Sequence, residues 1–347
     1  MSCQRRGQRR AGRDLGLVGT LVFSALLAAP VAAEASSSSA AVPQGGVGVR
    51  LIPILPAPSD PRAKIYVIAR LAPGSVLQRQ IAVSNTTGSA LEVAVYAGAA
   101  SISGGSFLGA SGTTSNELSG WTSVSPRTLQ LPAGGMAAAT VKVMVPQTTS
   151  PGERYAVVWA QVSSSPDASG VVRVSRVGIR LYISVGPGGP PPADMTVRSL
   201  TAERSSSGAP EVVALVTNSG GLALDLLGSL QLSGGPEGLS AGPYPATLGV
   251  TLGVGQTEPV RVVLGGQIPA GPWNALMTLR SGLLERSVRA TITFPAAGTA
   301  TPVPAMSVPS GGLGLVGPTT AAVVIVGLGG LGLHLRRRGH RRNWRSR

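Results

Sequence analysis

Apolar and polar residues alternate with a period of two along most of this chain. Residues 129–161, LQLPAGGMAAATVKVMVPQTTSPGERYAVVWAQ, read as a Pro/Gly turn and a strand with Val141, Val143 and Val145 on one face. A second turn at Ser150-Pro151-Gly152 then leads into a strand containing Tyr155, Val157 and Trp159. Period two bounded by Pro and Gly predicts antiparallel sheet. A looser copy, LGVGQTEPVRVVLGGQIPAGPWNALMTLR, occupies residues 252–280, so the pattern predicts two similar β-sandwiches.

The first predicted set of strands is 47–54, 65–71, 77–84, 91–97, 140–145, 154–162 and 171–185. The second is 195–202, 211–218, 223–232, 247–252, 259–264, 273–280 and 286–294. Short strands separated by turn signals, with no amphipathic helix among them, point to sandwiches. Superposing Asn85 on Asn218 and Gly152 on Gly271 leaves a longer spacing in the first unit. The excess falls mostly at residues 101–120, SISGGSFLGASGTTSNELSG, which are expected to form a long loop, functional or disordered. Asn85-Thr86-Thr87-Gly88 supplies a turn in preference to a glycosylation acceptor.

The two ends differ from this pattern. Residues 1–33 have a basic start, an apolar run and small residues at Val31-Ala32-Ala33, the three parts of a signal peptide. Residues 34–46 are a Ser/Ala-rich spacer, and GPGGPPPA around 187–193 is a Pro/Gly linker. Residues 296–312 read as a stalk. The uncharged run 313–335, opening on Leu313 and closing on Leu335, is long enough to span a bilayer as a helix. Seven Arg follow in the tail 336–347, which places the tail in the cytoplasm and everything before the span outside. The expected architecture is therefore all-β: two tandem Ig-like β-sandwich domains, 47–186 and 194–295, followed by a single C-terminal transmembrane α-helix.

Composition narrows the function. The formal net charge is +15, but the stretch between Glu34 and Leu335 carries 17 Lys+Arg against 13 Asp+Glu, a net of only +4. Basic residues clustered at membrane-type termini argue against nucleic acid. The only cysteine, Cys3, precedes the apolar run, and both histidines, His334 and His340, fall in or after the C-terminal span. The exported part then has no thiol, no imidazole and no compact acidic motif. This excludes Ser-His-Asp triads and His or Cys metal sites, and no enzyme, cofactor or metal is expected. Trp159 and Trp273 are expected in the cores and Tyr155 near a turn, while Trp121 borders the long loop. In the strand 171–185, Val177, Ile179, Leu181 and Ile183 share one face, and Arg176, Arg180 and Tyr182 share the other. Trp121, Arg176, Arg180 and Tyr182 are the candidate binding surface, for an anionic polymer or a partner protein.

Taken together, Leu71-Ala72-Pro73-Gly74, Gln80-Ile81-Ala82-Val83-Ser84-Asn85, Gly120-Trp121, Leu129 to Gly134, Val141 to Pro146 and Pro151-Gly152 form a recognisable series. The series resembles the peptidoglycan-binding domain of the WxL-interacting cell-surface proteins. That resemblance implies a bacterial, single-pass cell-envelope protein with its N-terminal domains extracellular. Its first Ig-like domain would contact cell-wall peptidoglycan and its second another surface protein. Two alternatives remain beside it: an assembly or chaperone-like module presenting a sheet edge to secreted subunits, and an envelope enzyme using carboxylates.

Overall fold

The structure is a computed structural model that describes residues 45–246 and 249–309. Within them the chain is all-β, with two sandwich-like pairs of sheets, each closed over its own core.

The first sandwich is built from β1 (Val47–Leu51), β2 (Val67–Leu71), β3 (Val76–Asn85), β4 (Leu91–Ser103), β5 (Ser106–Gly109), helix α1 (Glu117–Trp121), β6 (Thr122–Ser125), β7 (Thr128–Leu131), β8 (Met136–Met144), β9 (Gly152–Ser163) and β10 (Val174–Val185). One sheet runs β1-β3-β8-β6, and the other runs β2-β10-β9-β4-β5 with β7 also paired to β4. Pairing is antiparallel except between β2 and β10, which run parallel. The alternation read in the sequence explains the core. Ile81 and Val83 of β3, Val141 and Val143 of β8, Ala156 and Val158 of β9, and Leu181 and Ile183 of β10 all turn inward. Each large aliphatic buried there contributes about 1.5–3 kcal/mol.

The second sandwich comprises β11 (Met195–Arg204), β12 (Pro210–Asn218), β13 (Leu224–Ser233), β14 (Ala241–Pro245), β15 (Val250–Leu252), β16 (Thr257–Val263), β17 (Gly271–Ser281), β18 (Leu284–Phe294), β19 (Val303–Pro304) and β20 (Met306–Val308). Its sheets run β16-β12-β11-β19 and β14-β13-β17-β18-β20, with β15 beside β13. The two asparagines superposed in the sequence play one structural part. Asn85 donates from Nδ2 to the carbonyls of Ser89 and Leu131, and Asn218 does the same to Leu222 and Leu252. Each amide also accepts, from the backbone N–H of Thr87 and of Gly220. A buried side-chain amide that satisfies several carbonyls fixes the same turn twice.

Two expectations are corrected. Residues 101–120 are not a long loop: β4 continues to Ser103, Gly104 and Gly105 turn the chain at φ of 54° and 71°, and β5 pairs back. Asn116 then caps α1, accepting from the Ser119 N–H at 2.9 Å while Ser119 Oγ accepts from the Asn116 N–H. Part of the stretch assigned to a stalk, residues 303–308, enters the fold, since β19 pairs with β11 and β20 with β18. Among the described residues no helix is long and apolar enough to cross a membrane. The signal peptide at 1–33, the span at 313–335 and the tail at 336–347 lie outside the described residues.

Candidate partner-binding edge

The strand β10 is only half covered. Leu181 to Val185 pair with β2, whereas Val174 to Arg180 have β9 on one side and, among the described residues, no strand on the other. Two hydrogen bonds fix which backbone groups face out. Ser164 N–H donates to the Arg173 carbonyl on the β9 side, and Gly186 N–H donates to the Leu71 carbonyl on the β2 side. Backbone direction alternates along a strand, so odd positions face β9 and even positions face away. Val174, Arg176 and Gly178 therefore turn their N–H and C=O groups toward the open edge. The apolar side chains at this end are exposed: Val171, Val172 and Val174. Val177 of β10 and Val47 and Val49 of β1 are half-buried against the core, and β1 packs on β10 across the sandwich.

Three edge strands of the second sandwich are guarded, whereas the edge strands β1, β2, β5, β6 and β20 contain no proline. β16 carries Pro259, β14 carries Pro243 and Pro245, and β19 carries Pro304. Proline on an edge strand blocks further pairing. No proline interrupts β10.

The outer face of this sheet presents Trp159, and here the sequence reading is corrected. With Ala156, Val158 and Ala160 turned into the core, Trp159 must face out, where it is half-buried. Its presumed counterpart Trp273 is 1% exposed in the second core. The two lie an odd and an even number of residues beyond Gly152 and Gly271, which puts them on opposite faces. Trp159 lies flat because Gly98, Gly109 and Gly178 leave room; a Cβ on any of them would come within 3.0 Å of the indole. The Arg176 guanidinium lies over the ring at 4.7 Å from its centroid, and Trp121 is covered in the same way by Arg154 at 5.2 Å. Tyr96 donates to Gln161 Oε1 at 2.6 Å beside them.

Arg180 and Tyr182 do share the Arg176 face, but they are not a free surface. Tyr182 is 2% exposed, packed against Tyr66, Phe107 and Tyr155 with centroids 5.4–5.8 Å apart. Both residues reach Asp225 of the second sandwich: Arg180 Nη1 and the Tyr182 hydroxyl each donate to Asp225 Oδ1 at 3.0 Å. Thr251 Oγ1 donates to the same oxygen at 3.0 Å, and Arg62 Nη1 stands 3.6 Å from Asp225 Oδ2. Arg62 also donates to the Ala223 carbonyl at 2.9 Å, and Gln256 Nε2 to the Ile102 carbonyl at 2.9 Å. On this evidence of contact, Arg180 and Tyr182 belong to a joint between the sandwiches. Trp121 belongs to neither the joint nor the open edge, so the four predicted residues do not form one site.

Charge at the joint is set mainly by burial. Burial raises the Glu153 carboxyl above its ordinary range, even though Glu153 Oε2 accepts from the Tyr155 hydroxyl at 2.8 Å and the Ala223 N–H at 2.6 Å. Burial, with the neighbouring Glu153 and Asp225 carboxylates, also pushes the Tyr155 and Tyr182 hydroxyls far up, so both stay neutral donors. For Arg62 burial is the largest influence and pulls its pKa down, but the ion pair with Asp60 at 2.9 Å and the Asp225 charge outweigh it. The Tyr155 hydroxyl thus bonds to Glu153 of its own strand, which in turn accepts from Ala223 across the joint. Asp225 and Glu153 were missed, although Asp225 is the one charge in the apolar stretch Ala223 to Leu232. A carboxylate there needs a partner, and that was the available signal.

Among the described residues no group of three His, Cys, Asp or Glu is placed to hold a metal. No family model and no curated protein matches the chain. Solved structures with some likeness include the YadV chaperone, at 13% identity and TM-score 0.38, covering 70% of this chain and 99% of that one. A chain of the Salmonella enterica SafA pilin–SafB chaperone complex matches at 12% identity and TM-score 0.37, covering 76% and 97%. The Pseudomonas aeruginosa CupB2 chaperone matches at 10% identity and TM-score 0.33, covering 65% and 97%. Likeness at these scores carries no argument about what this chain binds.

Proposed function

We propose that this chain is a non-catalytic module of the bacterial cell envelope that holds an extended segment of another exported protein along the open edge of β10. The observation that carries the reading is the half-covered strand, with Val174, Arg176 and Gly178 directing backbone donors and acceptors outward. A segment with alternating apolar residues would extend the ladder and cover Val47, Val49 and Val177. Main-chain bonds give affinity in this mode, and the exposed valines give a preference for apolar partners. The joint supports the same reading, because it links the two sandwiches through a partly buried ion network and, among the described residues, does not pair with the far half of β10.

Protein is placed before peptidoglycan as the partner for one reason. Sugar recognition by stacking needs an open aromatic face, and the indoles of Trp121 and Trp159 are each covered by a guanidinium. The test is a photo-crosslinking residue at Val174 in producing cells. The reading expects protein adducts that map to an extended apolar segment and are lost on Arg176→Pro. Adducts to glycan alone, or adducts unchanged by the proline, contradict it.

A further inference from the structure

Two arginines lie on the outer face of the open half of β10, and their charges are treated differently. Arg180 is paired with Asp225 at 3.0 Å. Among the described residues the Arg176 guanidinium forms no ion pair and donates no hydrogen bond, and its contact is with the face of Trp159, 4.7 Å away at the centroid. Residues 171–180, VVRVSRVGIR, contain no acid, and Asp167 in the turn before β10 is occupied by the backbone N–H groups of Ser169 and Val171. Stacking on a ring uses the flat face of a guanidinium and leaves the N–H groups at its rim able to bond. The glycines that lay Trp159 flat thus also set a charged fork beside the strand edge. A carboxylate is the acceptor that such a fork fits, in bidentate fashion.

We infer that the extended segment held by β10 carries an acidic residue opposite Arg176, and that this pair sets the register of the added strand. The partner residue presupposes the open edge proposed above for β10. In an added strand the residue directly opposite Arg176 lies on the same face as Arg176, and its two neighbours turn inward toward Val177 and the half-buried Val47 and Val49 of β1. A slip by one residue is opposed by burial, because it would move the whole apolar set into water. A slip by two keeps an alternating segment's apolar residues inward, so burial alone does not choose among those registers. The choice then falls to the outer face, where Val174 and Gly178 carry no charge, Arg180 is taken by Asp225 and Arg176 has no acid. Opposite charges on directly paired strand positions favour the register that joins them.

The experiment titrates three end-blocked heptapeptides into the full chain, each with Val at its odd positions, Thr at the second and sixth, and Glu, Gln or Lys at the fourth. Each sequence reads the same in both directions, so strand polarity does not enter. Affinity is read by calorimetry and location by amide exchange at Val174, Arg176 and Gly178. The Glu peptide is expected to bind about fivefold tighter than the Gln peptide at low salt, or about 1 kcal/mol. The Lys peptide is expected to be weakest, with the differences shrinking as salt rises. Arg176→Gln should bring the Glu peptide to the affinity of the Gln peptide without changing the latter, which separates loss of the charge from loss of the edge. Arg176→Glu should invert the order in favour of Lys. Equal affinities for the three peptides, each protecting those amides, or a Glu preference that survives Arg176→Gln, would overturn the acidic residue and leave the edge in place. Protection of none of those amides by any peptide would overturn both.

Discussion

Trp159 lies flat on its sheet because Gly98, Gly109 and Gly178 have no side chains to lift it. A methyl at Gly178 would sit 2.6 Å from Val157 Cγ2 and 2.7 Å from Trp159 Cε3, so the ring or the strand has to move. Gly178→Ala should cost about 1–3 kcal/mol as an overpacking change, seen as a lower unfolding midpoint with altered indole fluorescence. An unchanged midpoint would mean that the indole is not held there. Glu153 gives a pH signature. Its folded pKa is raised by burial, so its contribution is fully present below the unfolded value of 4.5 and is lost as pH rises through the folded one. Glu153→Gln, which keeps an acceptor for the Ala223 N–H, should remove that loss, leaving a flatter stability profile from pH 4 to neutrality. If the two proteins follow parallel profiles, burial is not what sets the charge of this group. Residue-level roles were only partly legible in the sequence. The inward or outward direction of Trp159 follows from counting alternate positions, whereas the partners of Asp225 depend on which strands meet in space.

Among the elements, β10 carries the most consequence. Its face pattern was readable, because alternation alone puts Val177, Ile179, Leu181 and Ile183 inward. Its half-covered edge was not, since that depends on β2 ending its pairing at Leu181. The region after β4 was misread for a related reason. Gly and Ser lower strand propensity, yet Gly104 and Gly105 are what the tight turn into β5 requires, with positive φ at both. Proline separates the two sides of β10. Arg176→Pro removes an outward N–H and the guanidinium over Trp159, and should cost about 1 kcal/mol. Ser175→Pro breaks the ladder to β9 and should cost clearly more than Arg176→Pro. Chemical denaturation of the two variants checks this, and equal losses would mean that the assignment of backbone direction is wrong.

At the scale of the whole molecule, two small sandwiches meet at a joint whose most heavily bonded carboxylate is Asp225. Asp225 gathers Arg180, Tyr182 and Thr251 on one oxygen and faces Arg62 with the other. Asp225→Ala leaves those cations facing each other and should cost about 2–4 kcal/mol, after allowance for partial exposure, and calorimetry should split one unfolding transition into two. A single transition at an unchanged midpoint would show that the joint contributes nothing. The duplication was visible in the sequence through Asn85 and Asn218, while the joint was not, because its members come from strands and turns far apart along the chain. The central claim is that a partner strand adds to the open half of β10. Backbone amide exchange of the chain, alone and with its crosslink-identified partner segment, tests it most directly. The account predicts new protection at Val174, Arg176 and Gly178, with Ser175 and Val177 already protected in the free chain. Protection gained elsewhere, with those three amides unchanged, would contradict it.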